Sequence, residues 1–210
     1  MGLNPSWNYG KIYCSELSKL LICDKFPHLK DYAIGLAMNE EHWIYLDDNK
    51  KEGVSVVLMD ACHCPGAVIF LIKGKMGTVL HTGDFRFHPS MLENDFLCPP
   101  ELKNEEMRGI TIPIDYLHLD NTFANPEYDF PTREEAYNQL KKIIENHPKY
   151  RVYIFSYTLG KEEVFMNLAE DFETLIVVDQ DRMRNVKVMD LKPELFTTDK
   201  GAGFINVATT

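Results

Sequence analysis

The sequence predicts an α/β protein built as two units, residues 1–125 and 126–210. Apolar, β-branched runs alternate with segments of helical spacing, and turns rich in glycine and proline separate them. In the second unit strands and helices alternate regularly, which is typical of a parallel sheet covered by helices. A hydrophobic content of 45% is enough for a core in a chain of 210 residues.

In the first unit the pattern predicts a strand, a helix and then a series of strands. Ser15 is the expected cap of the helix, because its hydroxyl can accept a hydrogen bond from a backbone N–H of the first turn. The polar, proline-containing segment Glu93–Pro113 is expected to be a surface excursion. The predicted elements are a strand at Lys11–Cys14, a helix at Ser15–Cys23, and strands at Trp43–Leu46, Val54–Met59, Ala67–Ile72, Thr78–Thr82 and Tyr116–Leu119.

The second unit begins with a helix near Pro131. Thr132 followed by Glu135 is the signature of a capping box, and apolar residues at helical spacing continue to His147. The acidic pairs Glu134-Glu135 and Glu162-Glu163 are expected in first turns, where they oppose the helix dipole. The elements that follow are a strand at Val152–Phe155, a helix at Lys161–Phe172, a strand at Leu175–Val178, a helix at Asp181–Met189 and a strand at Phe204–Ala208.

The net charge of -10 argues against the simplest form of nucleic-acid binding, because proteins that neutralise phosphates usually carry a basic face. A cluster of acidic metal ligands would change this argument, since bound cations cancel charge that the formal count includes. Five cysteines at irregular spacing do not predict a disulfide framework, and they fit a reducing compartment. No apolar stretch is long enough to span a bilayer, so we expect no membrane partner.

His63 and Asp84 each follow the end of an apolar strand. Imidazole and carboxylate groups at strand ends can share a divalent ion and leave positions open for water and substrate. Each residue also has an ordinary structural role open to it: His63 could be a buried, hydrogen-bonded histidine, and Asp84 could cap a turn. In an extended chain Cys62 and Cys64 would face away from His63, so both thiols are interpreted as packing residues.

Asp120 and the segment that ends at Lys161 are further candidate parts of a functional site. Asp120 follows a predicted strand, where it could act in a site or cap the turn at Asn121. Gly160 and Lys161 fall at the start of a predicted helix, where free backbone N–H groups and the helix dipole favour an anion, and the hydroxyl of Ser156 lies just before them. The alternative is an ordinary strand-to-helix turn with a solvated lysine.

Four motifs together resemble a known family. They are HCPG (63–66), TGDFRFHPSML (82–92), LHLDNTFANP (117–126) and YTLGKEEVF (157–165). They are similar to segments of the metallo-β-lactamase-fold DNA nucleases of the β-CASP group, and most of all to its 5' exonucleases. The resemblance extends from Gly2 to about Val207, and it implies a partial metallo-β-lactamase αββα sandwich over 1–125 and a partial Rossmann-like β-CASP domain over 126–210.

The resemblance also implies a reaction: metal-assisted hydrolysis of a phosphodiester by two zinc or similar ions. His63 would bind one ion, Asp84 would bridge both, and Asp120 would be a further acidic residue of the active site. Lys161, Gly160 and Ser156 would hold a terminal 5'-phosphate and so position the first phosphodiester over the metals.

The implied substrate is DNA with a free 5' end. It would be trimmed in the nucleus during interstrand cross-link repair, double-strand break repair and telomere end processing. Telomere-protection proteins are the implied partners, through a C-terminal segment that the chain does not contain.

One motif of that family is absent from the sequence. The family carries HxHxDH just before a Gly-Leu dipeptide like Gly2-Leu3, and here only Met1 precedes that dipeptide. We therefore expect the chain to be a fragment of a nuclease that is inactive as written. A lactamase-fold hydrolase of RNA or of a small ester, and a non-catalytic binding module, are the alternatives.

Overall fold

The computed structural model of the protein describes residue 3, residues 6–102 and residues 111–209. The chain divides into two compact units, Met1–Asn121 and Thr122–Thr210, so the division falls slightly before the predicted boundary at residue 125. Helices and strands occur in both units, and the predicted α/β class is confirmed. No helix in the described part of the chain is both long and apolar enough to cross a membrane.

The described residues of the first unit form a five-stranded sheet and a smaller parallel pair of strands. The elements are β1 (Ile12–Ser15), α1 (Glu16–Lys25), β2 (Ala33–Leu36), β3 (Glu41–Tyr45), β4 (Gly53–Asp60), β5 (Val68–Gly74), β6 (Gly77–His81) and β7 (Tyr116–His118). The order of the large sheet is β3-β4-β5-β6-β7, and the small pair is β1-β2. Neighbours from β3 to β6 are antiparallel, whereas β6 and β7 are parallel.

Strand β4 is buried on both faces, which explains its continuous apolar sequence. Because side chains alternate along a strand, Val57 and Met59 join one core cluster, and Val56 and Leu58 join another. The sheet therefore has apolar packing on each side.

The segment Glu93–Pro113 is not simply a surface excursion as the sequence predicted. Leu97 and Cys98 are 8% and 3% exposed and belong to the core cluster that contains Met59. The polar composition of the segment hid these two buried positions. Residues 103–110 of this segment lie outside the described residues.

The elements of the second unit are α2 (Arg133–Glu145), β8 (Val152–Ser156), α3 (Glu162–Asp171), β9 (Ile176–Val177), α4 (Gln180–Val188), β10 (Phe196–Thr197) and β11 (Ile205–Thr209). The strands form a parallel sheet in the order β10-β9-β11-β8, and the predicted parallel arrangement is confirmed. The capping box at the start of α2 is confirmed as well: Thr132 and Glu135 each accept a backbone hydrogen bond from the other. The core is formed by Phe165, Leu168, Ile176 and other apolar residues between the helices and the sheet.

Candidate functional site

The C-terminal ends of β4, β6 and β7 meet at one edge of the large sheet. β4 and β6 run in the same direction because each is antiparallel to β5, and β7 is parallel to β6. His63 lies in the loop after β4, and Asp84 and Asp120 lie in the segments after β6 and β7. The topology therefore brings the three segments that carry His63, Asp84 and Asp120 to the same edge of the sheet.

Backbone hydrogen bonds connect these three segments. The N–H of Arg86 donates to the carbonyl of Ala61 at 2.9 Å, which joins the segment after β6 to the loop after β4. The N–H of Asp120 donates to the hydroxyl of Thr82 at 2.9 Å, and the N–H of Thr82 donates to the carbonyl of His118 at 2.9 Å. Thr82 is buried, so its side chain is a structural link between Asp120 and the segment that carries Asp84.

The start of α1 holds the loop that carries His63. The hydroxyls of Ser15 and Ser18 both donate to the carbonyl of Gly66 at 2.9 Å. Ser15 also caps the helix, as predicted, by accepting from the N–H of Ser18 at 3.2 Å. One serine thus links the helix N-terminus to the end of the HCPG motif.

The backbone around His63 differs from the expectation. Cys62 has a left-handed conformation with φ of 49°, and its N–H donates to Asp60 Oδ1 at 2.8 Å. The alternation expected of an extended chain therefore does not apply here, and that argument about the two thiols was wrong. Cys62 and Cys64 are half-buried and His63 is exposed.

The described residues do not complete a metal site. His63 and Asp84 offer exposed imidazole and carboxylate groups, whose chemistry suits a divalent ion. Within residues 6–102 and 111–209, however, no three His, Cys, Asp or Glu side chains come together as a set of ligands. Catalytic zinc sites normally use three protein ligands, so the metal roles of His63 and Asp84 remain predictions.

Two histidines that the sequence did not assign to the site lie beside it. His81 and His118 are register partners on β6 and β7, and their rings stack with centroids 5.3 Å apart. His81 Nδ1 accepts a hydrogen bond from the N–H of Gly83 at 3.0 Å, so it fixes the turn that leads to Asp84. Their positions at two strand ends were visible in the sequence, but their pairing depends on strand register.

In the second unit the predicted phosphate-binding residues surround the connection from β8 to α3. Ser156 ends β8, Gly160 is buried, and Lys161 is exposed and precedes the first residue of α3. The N–H of Gly160 is not free as the sequence predicted, because it donates to Glu162 Oε1 at 2.9 Å. Lys161 has a left-handed backbone with φ of 68°, and its side chain does not cap the helix.

A buried ion pair lies next to this connection. Glu162 and Arg182 are 2% and 0% exposed, and Arg182 Nη1 lies 3.2 Å from Glu162 Oε1. The guanidinium also lies over the ring of Phe165, 5.1 Å from its centroid. Burial raises the pKa of the Glu162 carboxyl and lowers the pKa of Arg182. Glu162 was expected to be only a first-turn acid, and no periodic signal in the sequence indicated this partner.

The fold and the loops at the sheet edge define a mixed α/β protein with acidic and imidazole side chains at the ends of neighbouring strands. No protein-family model matches the chain. Among solved structures it is similar to a protein of unknown function from Enterococcus faecalis, with a TM-score of 0.60, 15% identity, and coverage of 99% of this chain and 54% of that one. At this identity the likeness shows the fold alone.

Curated relatives are more informative. The chain is 44% identical to 5' exonuclease Apollo of Danio rerio over 98% of its own length and 34% of that protein. It is 32% identical to the human DNA cross-link repair 1A protein over 98% of its length and 18% of that protein. The chain is therefore homologous over nearly all its residues to proteins with these names, and the similarity predicted from its motifs is confirmed. It spans about a third of the length of the Apollo relative.

Proposed function

We propose that this chain is part of a DNA 5' to 3' exonuclease of the metallo-β-lactamase and β-CASP class. The observation that carries the proposal is the 44% identity, over 98% of the chain, to a protein named 5' exonuclease. The substrate is DNA with a free 5' end, and the activity serves interstrand cross-link repair, double-strand break repair and telomere end processing in the nucleus. Telomere-protection proteins are the proposed partners of the whole protein.

In the first unit His63 and Asp84 are the proposed zinc donors, and Asp84 and Asp120 the proposed catalytic residues. Their support is the shared sheet edge and the hydrogen bonds that connect the three segments. The described residues supply too few donors for a complete site, so no step of the reaction is assigned to the metal.

In the second unit Lys161 and Ser156 are the proposed ligands of the 5'-phosphate. Lys161 supplies an exposed cation beside the N-terminus of α3, where the helix dipole also favours an anion. Ser156 is 5% exposed, and its hydroxyl has no hydrogen-bond partner among the described residues, so it can donate to a ligand. Gly160 contributes through its conformation, since its own N–H is bonded to Glu162.

A chimaera tests the nuclease proposal. The matching segment of the Danio rerio relative is replaced by this chain, and digestion of 5'-phosphorylated DNA is measured beside the unaltered relative. We expect digestion to persist and to fall by about a hundredfold or more in Asp84→Asn and in His63→Ala. His147→Ala is the matched control, because His147 lies outside the proposed site and its Nδ1 lies 2.8 Å from the carbonyl of Ile143 in α2. A folded chimaera without digestion would contradict the proposal.

The phosphate role is tested separately in the same chimaera. Lys161→Ala should slow digestion of 5'-phosphorylated DNA much more than digestion of 5'-hydroxyl DNA, because only the former presents the terminal phosphate. Lys187→Ala, an exposed lysine on α4, is the control. Equal slowing of both substrates would leave Lys161 as a general contact.

A non-catalytic DNA-binding module is the second candidate, since the described residues hold no three-donor group. In that case the chimaera would bind 5'-phosphorylated DNA without digesting it. Digestion of RNA or hydrolysis of a small ester, in place of DNA, would instead indicate a hydrolase of another substrate class.

A further inference from the structure

The segment 157–161, which we call the phosphate loop, has three of its carbonyl groups directed at helix α4. Arg182 donates through Nη2 to the carbonyl of Tyr157 and through Nη1 to the carbonyl of Gly160 at 3.3 Å. Asn185 Nδ2 donates to the carbonyl of Thr158 at 3.4 Å. Side chains of one helix therefore set the orientation of most peptide planes in the loop.

The orientation of a carbonyl determines that of the next N–H. In a planar trans peptide the two groups point in opposite directions, and the described residues contain no cis peptide. The N–H groups of Thr158, Leu159 and Lys161 consequently point away from α4. The peptide before Gly160 is reversed, because the N–H of Gly160 is bonded inward to Glu162.

N–H groups that point to one side can bind an anion together. Here those of Thr158 and Leu159 are successive, and that of Lys161 follows after the reversed peptide before Gly160. The positive φ angles of Gly160 (99°) and Lys161 (68°) turn the backbone at the end of the phosphate loop. The first turn of α3 follows directly. The buried, unpartnered hydroxyl of Ser156 lies at the other end of the loop. A phosphate would thus be held by backbone amides as well as by the Lys161 ammonium.

We infer that Arg182 is the positioning residue of the phosphate loop. It is fully buried, so the proposed 5'-phosphate would not contact it directly. Its guanidinium holds the carbonyls of Tyr157 and Gly160 against α4 and so presents the N–H groups of Thr158 and Lys161 to the 5'-phosphate. Glu162 keeps the guanidinium in place through the buried ion pair. This inference rests on the proposed phosphate role of the loop and adds the residue that organises it.

The planar fork is the part of Arg182 that matters. A guanidinium can bond two carbonyls and a carboxylate at once in fixed directions, whereas a lysine ammonium in the same place is a single point charge. Arg182→Lys should therefore preserve the charge and lose the orientation of the loop. A purely electrostatic or packing role would be rescued by this variant.

The test uses the 210-residue chain and two short single-stranded DNAs that differ only in a 5'-phosphate or a 5'-hydroxyl. The ratio of their dissociation constants is measured for the unsubstituted chain, for Lys161→Ala, for Arg182→Lys and for the paired variant Arg182→Gln with Glu162→Gln. The paired variant removes both charges, so it leaves no unpaired buried charge. We expect the preference for the 5'-phosphate to fall about tenfold in both Arg182 variants. Arg184→Gln, an exposed arginine on the same helix, should keep it.

Hydrogen exchange of the Thr158 and Lys161 amides, measured by NMR, gives a second readout that does not depend on DNA. Exchange should change at these amides in the Arg182 variants while the amides of α2 stay unchanged. Asn185→Ala releases only the Thr158 carbonyl, and it carries the test if the Arg182 variants unfold; it should lose part of the preference.

The outcomes distinguish the positioning role of Arg182 from the phosphate role of the loop. If the unsubstituted chain has no preference for the 5'-phosphate, the phosphate role of the loop is wrong, and this inference falls with it. If Lys161→Ala abolishes the preference but both folded Arg182 variants retain it, the loop binds phosphate and the positioning role of Arg182 is overturned. The positioning role is also overturned if Arg182→Lys retains the preference and the paired variant loses it.

Discussion

Gly66 shows how a single residue determines where a candidate site residue lies. Its φ of 82° is in the left-handed region, and its carbonyl accepts the hydroxyls of Ser15 and Ser18. A side chain at this position is disfavoured by the backbone conformation and by space, because a Cβ would lie 2.8 Å from Ser18 Oγ. The loop that presents His63 thus depends on a residue that takes no part in ligand chemistry.

Gly66→Ala should destabilise the first unit by ~1–3 kcal/mol, because it adds left-handed strain and displaces the two serines. Denaturant unfolding of the chain measures the change. Gly10→Ala is the matched control, since a Cβ there would have no atom within 4 Å, and it should change stability by less than ~0.5 kcal/mol. Equal effects of the two substitutions would contradict the role of Gly66.

Asp171 is a residue of α3 whose ionised carboxylate contacts two side chains of α2. Lys141 Nζ lies 2.8 Å from its carboxylate and Tyr137 donates to it at 2.6 Å, and these hydrogen bonds lower the pKa of Asp171 below its ordinary value. A carboxyl whose pKa is lowered on folding stabilises the protein above its unfolded pKa of about 3.9, and this contribution is lost as pH falls through the folded pKa.

Asp171→Asn should therefore lower the unfolding temperature at neutral pH, and the gap to the unsubstituted chain should close as the pH falls through the lowered folded pKa of Asp171. Thermal unfolding followed over a pH series measures the gap. Tyr137→Phe removes only one donor and should have a smaller effect. A gap that does not depend on pH would show that the ionised carboxylate is not responsible.

At the scale of elements, β7 is the most exposed part of the described large sheet. It forms one edge of the strand order, and Tyr116 and Leu117 are both more than half exposed. An edge strand presents unpaired backbone N–H and C=O groups, and apolar side chains beside them favour pairing with another chain. The described first unit therefore has a surface suited to self-association.

The purified 210-residue chain should associate as its concentration rises, and Leu117→Lys should reduce this association because a lysine on an edge strand disfavours pairing. Sedimentation velocity over a concentration series measures it. Ile143→Lys on α2 is the control, since it also replaces an exposed apolar residue with lysine but lies on a helix. A chain that stays monomeric throughout would contradict this prediction.

At the scale of the whole molecule, the proposed site residues fall into two groups, one in each unit. The first unit offers His63, Asp84 and Asp120 at one sheet edge, and the second offers the phosphate loop. The first lacks the three-donor group that a metal needs, within the described residues. The proposed catalysis would consequently need metal donors beyond the described residues.

The 210-residue chain alone should show no nuclease activity when zinc is added, because a zinc ion with two protein ligands is weakly held and highly hydrated. Digestion of 5'-phosphorylated DNA is the measurement. Cleavage that disappears in His63→Ala and on addition of a chelator would show that this prediction is wrong.

The sequence by itself determined the features that depend on neighbouring residues. The serine cap of α1, the capping box of α2 and the apolar run of β4 follow from local hydrogen bonding and from side-chain periodicity. The motifs around His63, Asp84 and Lys161 also sufficed to predict which proteins the chain resembles. The short strands β2 and β10 were not predicted, and their four and two residues carry little periodicity.

Only the tertiary structure decided which distant residues meet. The stacking of His81 on His118 depends on strand register, and the burial of Glu162 against Arg182 depends on the packing of α4 beside the phosphate loop. The hydrogen bonds from Ser15 and Ser18 to the carbonyl of Gly66 likewise join the start of α1 to a distant loop. Such contacts join residues far apart in the chain, and their free energy comes from burial and geometry that no local pattern contains.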